Sequence, residues 1–219
     1  MSHPSSGGEP APYDVTLCRG VAAQAQCRFA MPTDAELVSA IRAAVDRSGW
    51  PEFVRAAVGG PLLHHHAFRI AVAACPNGCS RPHVADVGFI RACTPELDPT
   101  LCTRCGLCVR VCPDDAISLD RLGPVFDREQ CMECGLCVAK CREQALACRT
   151  MGYRIVLGGK LGRHPRLATE IPEVFTVEQG GAVVEVCLAL YMRHYARGVR
   201  FGSLVERLGD ELAEELDSL

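Results

Sequence analysis

The sequence has no run of about 18 apolar residues, which excludes a hydrophobic helix long enough to span a bilayer. It also lacks any Lys/Arg-rich run, and its formal net charge is only −3. Neither a local nor a global field therefore recommends nucleic acid or a membrane surface as a partner. The opening MSHPSSGGEPAPYD has no apolar core segment and no basic leader, so it does not read as a signal peptide, and a cytoplasmic location is the expectation. Residues 1–14, polar and proline-rich, are expected to form a disordered tail.

What is there is a chain of 219 residues, 48% of them apolar, able to bury a core in one or two domains. Its most unusual component is cysteine. An odd count of 15 rules out complete pairing into disulfides and, in a reducing compartment, points to metal ligation.

Eight of the cysteines form an internal repeat. LCTRCGLCVRVCP begins at residue 101 and QCMECGLCVAKCR at residue 130, so that Cys102, Cys105, Cys108 and Cys112 recur 29 positions later as Cys131, Cys134, Cys137 and Cys141. This is the duplicated C-x2-C-x2-C-x3-C run of two-cluster bacterial ferredoxins. Three thiolates at that spacing wrap one corner of a cubane, and Gly106 and Gly135 allow close backbone approach. The fourth cysteine of each run serves the other cluster. One [4Fe–4S] cluster is thus assigned to Cys102, Cys105, Cys108 and Cys141, and a second to Cys131, Cys134, Cys137 and Cys112. A zinc ribbon would use two C-x2-C pairs and leave half of these ligands idle. Arg142 stands where the second run would usually carry proline; its charge is expected to raise the potential of the nearby cluster. Between the copies, alternation around Ile117 and Leu119, a Gly-Pro turn and Val125-Phe126 suggest a small hairpin. The ferredoxin module is expected at residues 99–148.

The flanks look like one interrupted domain, residues 15–98 and 149–219. PTDAELVSAIRAAVDRSGW has a helical period with Thr33 or Asp34 as N-cap, and FRIAVAA (68–74) and YRIVLGG (153–159) read as buried strands. GGAVVEVCLALYMRHYARG and SLVERLGDELAEELDSL read as helices. The fold class is α+β, with a ferredoxin-like module inserted in an α/β domain.

AACPNGCSRPHVADVGFI resembles the iron–sulfur and sirohaem signature of nitrite and sulfite reductases, and VLGGKLGRHPRLATEIPEVF is similar to the segment that follows it in that superfamily. The inserted module is similar to that of dissimilatory and anaerobic sulfite reductases. The resemblance implies a third [4Fe–4S] cluster on a C-x5-C pair and a downstream C-x3-C pair, with the last cysteine bridging to sirohaem iron. Cys75 and Cys79 match the second pair, Cys79 being the bridge. Cys18 and Cys27 supply the first pair, although eight residues lie between them where the family has five. Longer loops add little closure entropy, so four-thiolate ligation remains open to them.

Sirohaem is rich in carboxylates, and the resemblance implies basic residues to meet them: Arg81, Lys160, Arg163 and Arg166, with His164 and Arg69 as further candidates. Lys160, Arg163 and Arg166 are also the candidates for binding an anionic substrate. Complete sulfite reductases have further domains ahead of the first cysteine pair, so this chain is expected to correspond to their cluster-binding half. Two readings follow. In the first, the chain is an electron-transfer protein or redox subunit with two ferredoxin-type clusters and a third. In the second, it is a sirohaem-dependent reductase of sulfite or a related oxyanion, alone or with a partner subunit. A redox partner protein is expected in either case, and a homodimer or larger enzyme complex would complete the pocket. His64, His65 and His66 read as a polar lead-in to a strand, Cys187 as core, and Cys93 and Cys148 as spectators beside the module.

Overall fold

Branched apolar residues at every second position build the centre of the fold. In the computed structural model, which describes residues 10–23 and 27–219, the first element is β1 (Tyr13–Leu17), followed by α1 (Arg19–Ala22), α2 (Glu36–Ser48), α3 (Trp50–Val58) and β2 (Phe68–Ala73). A 3-10 turn (Pro82–Val84) leads into β3 (Val87–Leu97). The cysteine repeat then contributes α4 (Leu107–Val111), β4 (Ile117–Leu119), β5 (Pro124–Phe126) and α5 (Leu136–Lys140). The chain returns through β6 (Leu146–Leu157) and β7 (Thr169–Phe175) and closes with α6 (Val177–Arg193), α7 (Phe201–Arg207) and α8 (Gly209–Leu216).

Five strands form one mixed sheet in the order β1-β2-β3-β6-β7. β1, β2 and β3 run parallel, while β6 is antiparallel to both of its neighbours. Phe68, Ile70 and Val72 of β2 and Val87 and Phe89 of β3 point to the same face, where they pack with Leu37, Ile41, Trp50, Val184, Leu188 and Phe201 from the helices. Trp50 is fully buried, stacks on Tyr191 and donates its indole N–H to the Pro12 carbonyl at 2.8 Å. On the opposite face β2 carries Ala71 and Ala73 and β3 carries Gly88, where a Cβ would lie 2.6 Å from Pro82. That closeness seats the 3-10 turn on the sheet.

Several expectations change. The tail does not reach residue 14: Phe68 N–H donates to Pro12 carbonyl and Tyr13 starts an edge strand paired with β2. Residues 1–9 lie outside the described residues. The N-cap of α2 is Ala35, not Thr33 or Asp34. Asp34 instead receives a 2.7 Å hydrogen bond from Arg91, while its N–H donates to the Tyr153 hydroxyl. The final helix divides at Leu208 into α7 and α8. The repeat is bracketed by β3 and β6 and closed by Asp98 N–H on the Ala145 carbonyl. Its stem is therefore sheet already at Leu146, so that Cys148 belongs to β6.

Candidate functional site

The two copies of the repeat fold alike because the same positions take the same unusual backbone. Arg104 and Glu133, 29 residues apart, are both left-handed (φ 55° and 53°), as are Asp115 and Gln144 (φ 51° and 53°), and Gly106 and Gly135 (φ 72° and 68°). Left-handed residues between ordinary ones turn successive N–H groups inward, the form of backbone concavity that accommodates iron–sulfur sulfides. α4 and α5 start directly after the two glycines and carry the third cysteine of each run.

Cys102, Cys105, Cys108 and Cys141 line one cavity of the insertion. Cys131, Cys134 and Cys137 line a second together with Cys112. Each cavity thus gathers three cysteines of one run and the last of the other. Ile117, Cys137 and Leu146, flanked by Val109 and Val138, form the apolar wall beside them. Burial pushes the Cys137 thiol up to about 12, an amide hydrogen bond from Val138 opposes this, and the neighbouring Cys134, Cys131 and Cys108 add to it. The Cys134 and Cys108 thiols are raised as well, again chiefly by burial. Buried thiolates crowded in this way call for compensating positive charge, such as a bound metal would supply. Among the described residues no group of three or more His, Cys, Asp or Glu side chains is arranged to hold a single metal ion.

The other four predicted cysteines come together at the carboxyl ends of parallel strands. β1 delivers Cys18, whose N–H donates to Val72 carbonyl, and β2 runs through Ala74 into Cys75. Ala74 N–H donates to the Cys18 sulfur at 3.3 Å, and Met31 N–H donates to Ala74 carbonyl at 3.0 Å, which holds the Cys27–Met31 segment against the same strand end. A turn closed by Gly78 N–H on Cys75 carbonyl then presents Cys79. Burial raises the Cys75 thiol, the Asn77 amide lowers it, and Cys27, Cys18 and Cys79 each raise it further. The other three thiols are thus each close enough to influence Cys75. Cys18 and Cys75 are buried and Cys79 is exposed.

The two regions adjoin. Phe29, Cys75, Pro76 and Asn77 on one side and Pro113, Met132, Cys134 and Leu136 on the other line a common cleft. The second copy is fastened there: Cys93 N–H donates to Glu133 carbonyl at 2.8 Å, Thr94 hydroxyl donates to the Glu133 carboxylate at 2.7 Å, and Arg154 donates to Met132 carbonyl at 3.2 Å. The cavity of Cys131, Cys134, Cys137 and Cys112 is therefore the inner one. That of Cys102, Cys105, Cys108 and Cys141, with Cys105 exposed, is the outer one.

The basic candidates are dispersed. Lys160 and Arg166 pair through their backbones to close the loop 160–166. Lys160 Nζ donates to Ser203 at 2.7 Å, and Arg166 donates to the Leu157 and Gly158 carbonyls and to Thr169. Arg163 and His164 are exposed at the loop tip. Arg81 is exposed, left-handed (φ 62°), and lies two residues beyond Cys79. The loop is joined to the turn after Cys79 by Ala168 N–H on His83 carbonyl. The strand registers set Leu157 level with Val87 and Ile70. Five residues of extended chain, about 16 Å, separate that level from Cys75. Arg69, at the start of β2, faces Asp86 at 3.9 Å at that same far end of the sheet. His66 accepts a hydrogen bond from Leu63 N–H in the turn before β2, and Cys187 is fully buried in the core.

Sequence reasoning missed two features. Arg91, with a side chain 5% exposed, lies over the Tyr153 ring and pairs with Asp34. Cys93 and Cys148, taken as spectators, are joined in a disulfide between β3 and β6. Their separation of 55 residues gave no local signal.

Comparison with known proteins gives a consistent picture. The profile of the nitrite and sulphite reductase 4Fe-4S domain matches residues 64–218. A coenzyme F420-dependent sulfite reductase of Methanocaldococcus jannaschii is 34% identical over 157 residues, covering 70% of this chain and 25% of that protein. The crystal structure of dissimilatory sulfite reductase I superposes with a TM-score of 0.58 at 17% identity, over 93% of this chain and 51% of the other. The Mycobacterium tuberculosis NirA protein does so with a TM-score of 0.51 at 16% identity, over 93% and 27%. The chain thus spans a quarter of the length of the curated relative and about half of the first of these structures.

Proposed function

The chain belongs to the nitrite and sulphite reductase 4Fe-4S domain family, and we propose that it acts there as an electron-transfer unit with three [4Fe–4S] clusters in line. The observation that carries this reading is the cleft shared by Cys75 and Cys134, which connects the Cys18, Cys27, Cys75 and Cys79 group to the inner cavity of the repeat. Bound there, the clusters supply one-electron transfer at potentials set by hydrogen bonds, charge and burial.

The chain's own residues do the rest. The outer group, Cys102, Cys105, Cys108 and Cys141, opens toward a redox partner protein. The inner group, Cys131, Cys134, Cys137 and Cys112, is shielded by the apolar wall around Ile117 and Leu146, which excludes water and keeps the reorganisation on electron transfer small. Ala74 N–H, donating to the Cys18 sulfur, stabilises the electron-rich thiolate of the third group. Cys79 faces whatever completes the site, a second copy of the chain or another subunit of a larger complex, in the cytoplasm.

A second reading, sirohaem-dependent reduction of sulfite or a related oxyanion, draws on the exposure of Cys79 beside Arg81. Lys160 and Arg166 are already engaged by Ser203 and by backbone carbonyls, which leaves Arg81 and Arg163 as the exposed cations of the expected set. Among the described residues Arg81 and Arg163 alone do not make a full cage for a polycarboxylate. An anaerobic visible spectrum of protein produced with sirohaem supply separates the readings. The electron-transfer reading expects a broad sulfur-to-iron shoulder alone; a sharp Soret band that co-purifies with the isolated chain would overturn it in favour of the reductase.

A further inference from the structure

Cys93 and Cys148 lie at the root of the insertion, on the stem formed by β3 and β6. Cys93 is fully buried, and Cys148 is half-buried. Cys93 forms a β-bridge with Cys134, and its N–H is held by the Glu133 carbonyl. A Cβ at Gly135 would lie 3.3 Å from the Cys93 Cβ. The disulfide is therefore backed directly against Glu133–Gly135, the segment that presents Cys134 to the inner cavity. Bridged backbones of this kind are separated by about 5 Å. Full burial of Cys93 leaves the bond open to solvent only on its Cys148 side, and the inner group of cysteines lies against the Cys93 side, a short way for electrons to reach it.

We propose that Cys93–Cys148 is a further redox centre, a disulfide that exchanges two electrons with the cluster bound at Cys112, Cys131, Cys134 and Cys137. The disulfide accepts two electrons in succession and two protons; its S–S bond breaks and two thiols form. Each electron comes from a reduced four-iron cluster, which is returned to its oxidised form and recharged by a low-potential one-electron donor at the outer group. Protons enter from the Cys148 side, where the pair meets solvent. Such a pair stores two electrons behind one-electron carriers. A bridge serving only to staple the stem would be indifferent to the state of the clusters.

The proposal rests on the inner cluster, and its test reads the two separately. The holoprotein is reduced anaerobically with dithionite and methyl viologen, quenched and unfolded in acid, freed of reductant, and then alkylated with iodoacetamide in denaturant at mildly alkaline pH, where the thiolate reacts, and the labels on the Cys93 and Cys148 peptides are counted by mass spectrometry. Wild type is expected to gain two labels on these peptides, and Cys131→Ala, whose iron content reports the missing cluster, none. In a reductive titration the Cys93→Ser/Cys148→Ser variant is expected to take up two fewer electrons per chain than wild type at unchanged iron content. Equal labelling with and without the inner cluster, free thiols at both positions before reduction, or equal electron uptake by the double variant would each overturn it. Loss of iron from wild type itself would instead contradict the cluster assignment.

Discussion

The internal repeat contains its own control experiment. Gly106 and Gly135 occupy equivalent places in the two copies, both left-handed, and alanine at either strains the backbone by about 1 kcal/mol. Their surroundings differ. A Cβ on Gly106 would meet nothing closer than the Arg110 guanidinium at 3.4 Å, an ordinary contact with the end of a long side chain. A Cβ on Gly135 would meet Met31 Sδ at 2.8 Å and Cys93 Cβ at 3.3 Å. Met31 can turn aside in part, but Cys93 is held by its disulfide and by its hydrogen bond to Glu133, so overpacking should add about 1–2 kcal/mol. Gly106→Ala should therefore cost about 1 kcal/mol and Gly135→Ala about 2–3 kcal/mol. Anaerobic urea denaturation of the iron-loaded proteins measures both. Losses equal within about 0.5 kcal/mol, or a greater loss for Gly106→Ala, would refute the docking of the second copy against Met31 and Cys93.

Three further outcomes follow from particular side chains. Asp34→Ala removes the carboxylate paired with the buried Arg91 guanidinium; because Asp34 itself is 39% exposed, the cost should be at the low side for a broken buried pair, about 2 kcal/mol by urea denaturation. Asp86 is raised to about 6 by burial, against hydrogen bonding from Arg69 N–H and the charges of Arg200 and Arg69. A carboxyl raised on folding is stabilising in its protonated form, and that contribution fades as pH climbs through about 6. With an ordinary value of 3.8 in the unfolded chain, a stabilisation on the order of 1 kcal/mol disappears between pH 5 and pH 8. The stability of Asp86→Asn relative to wild type should improve by that amount over the interval, and a difference that is flat with pH would contradict it. Arg163→Ala and Arg81→Ala change only exposed side chains and should leave the free energy of unfolding by urea within about 0.5 kcal/mol of wild type.

How legible each feature was depended on the range of the interactions that make it. The cysteine runs were readable because their ligand spacing is local, and β2 was readable because both of its faces are buried. β1 was not, although Tyr13–Leu17 alternates apolar and polar residues, because it follows directly on a polar, proline-rich opening and its pairing partners Phe68–Val72 lie far along the chain. β7 is an edge strand containing Pro172, which weakened its signature. Asp34 looked like a helix cap because the sequence cannot show Arg91 or Tyr153 arriving from the sheet. The disulfide depends on the register of β3 against β6, including the irregularity between Thr94 and Pro95 that sets Pro95 opposite Cys148. Lys160 and Arg166 read as free cations because their partners, Ser203 and the Gly158 carbonyl, become neighbours only when α7 and the loop pack.

The central claim is that twelve cysteines in three groups hold three clusters, and iron with acid-labile sulfide counted per chain under anaerobic conditions tests it most directly. About 12 of each are expected for wild type and about 8 for Cys75→Ala, since three [4Fe–4S] clusters become two. Wild type at about 8, or Cys75→Ala unchanged at about 12, would contradict it.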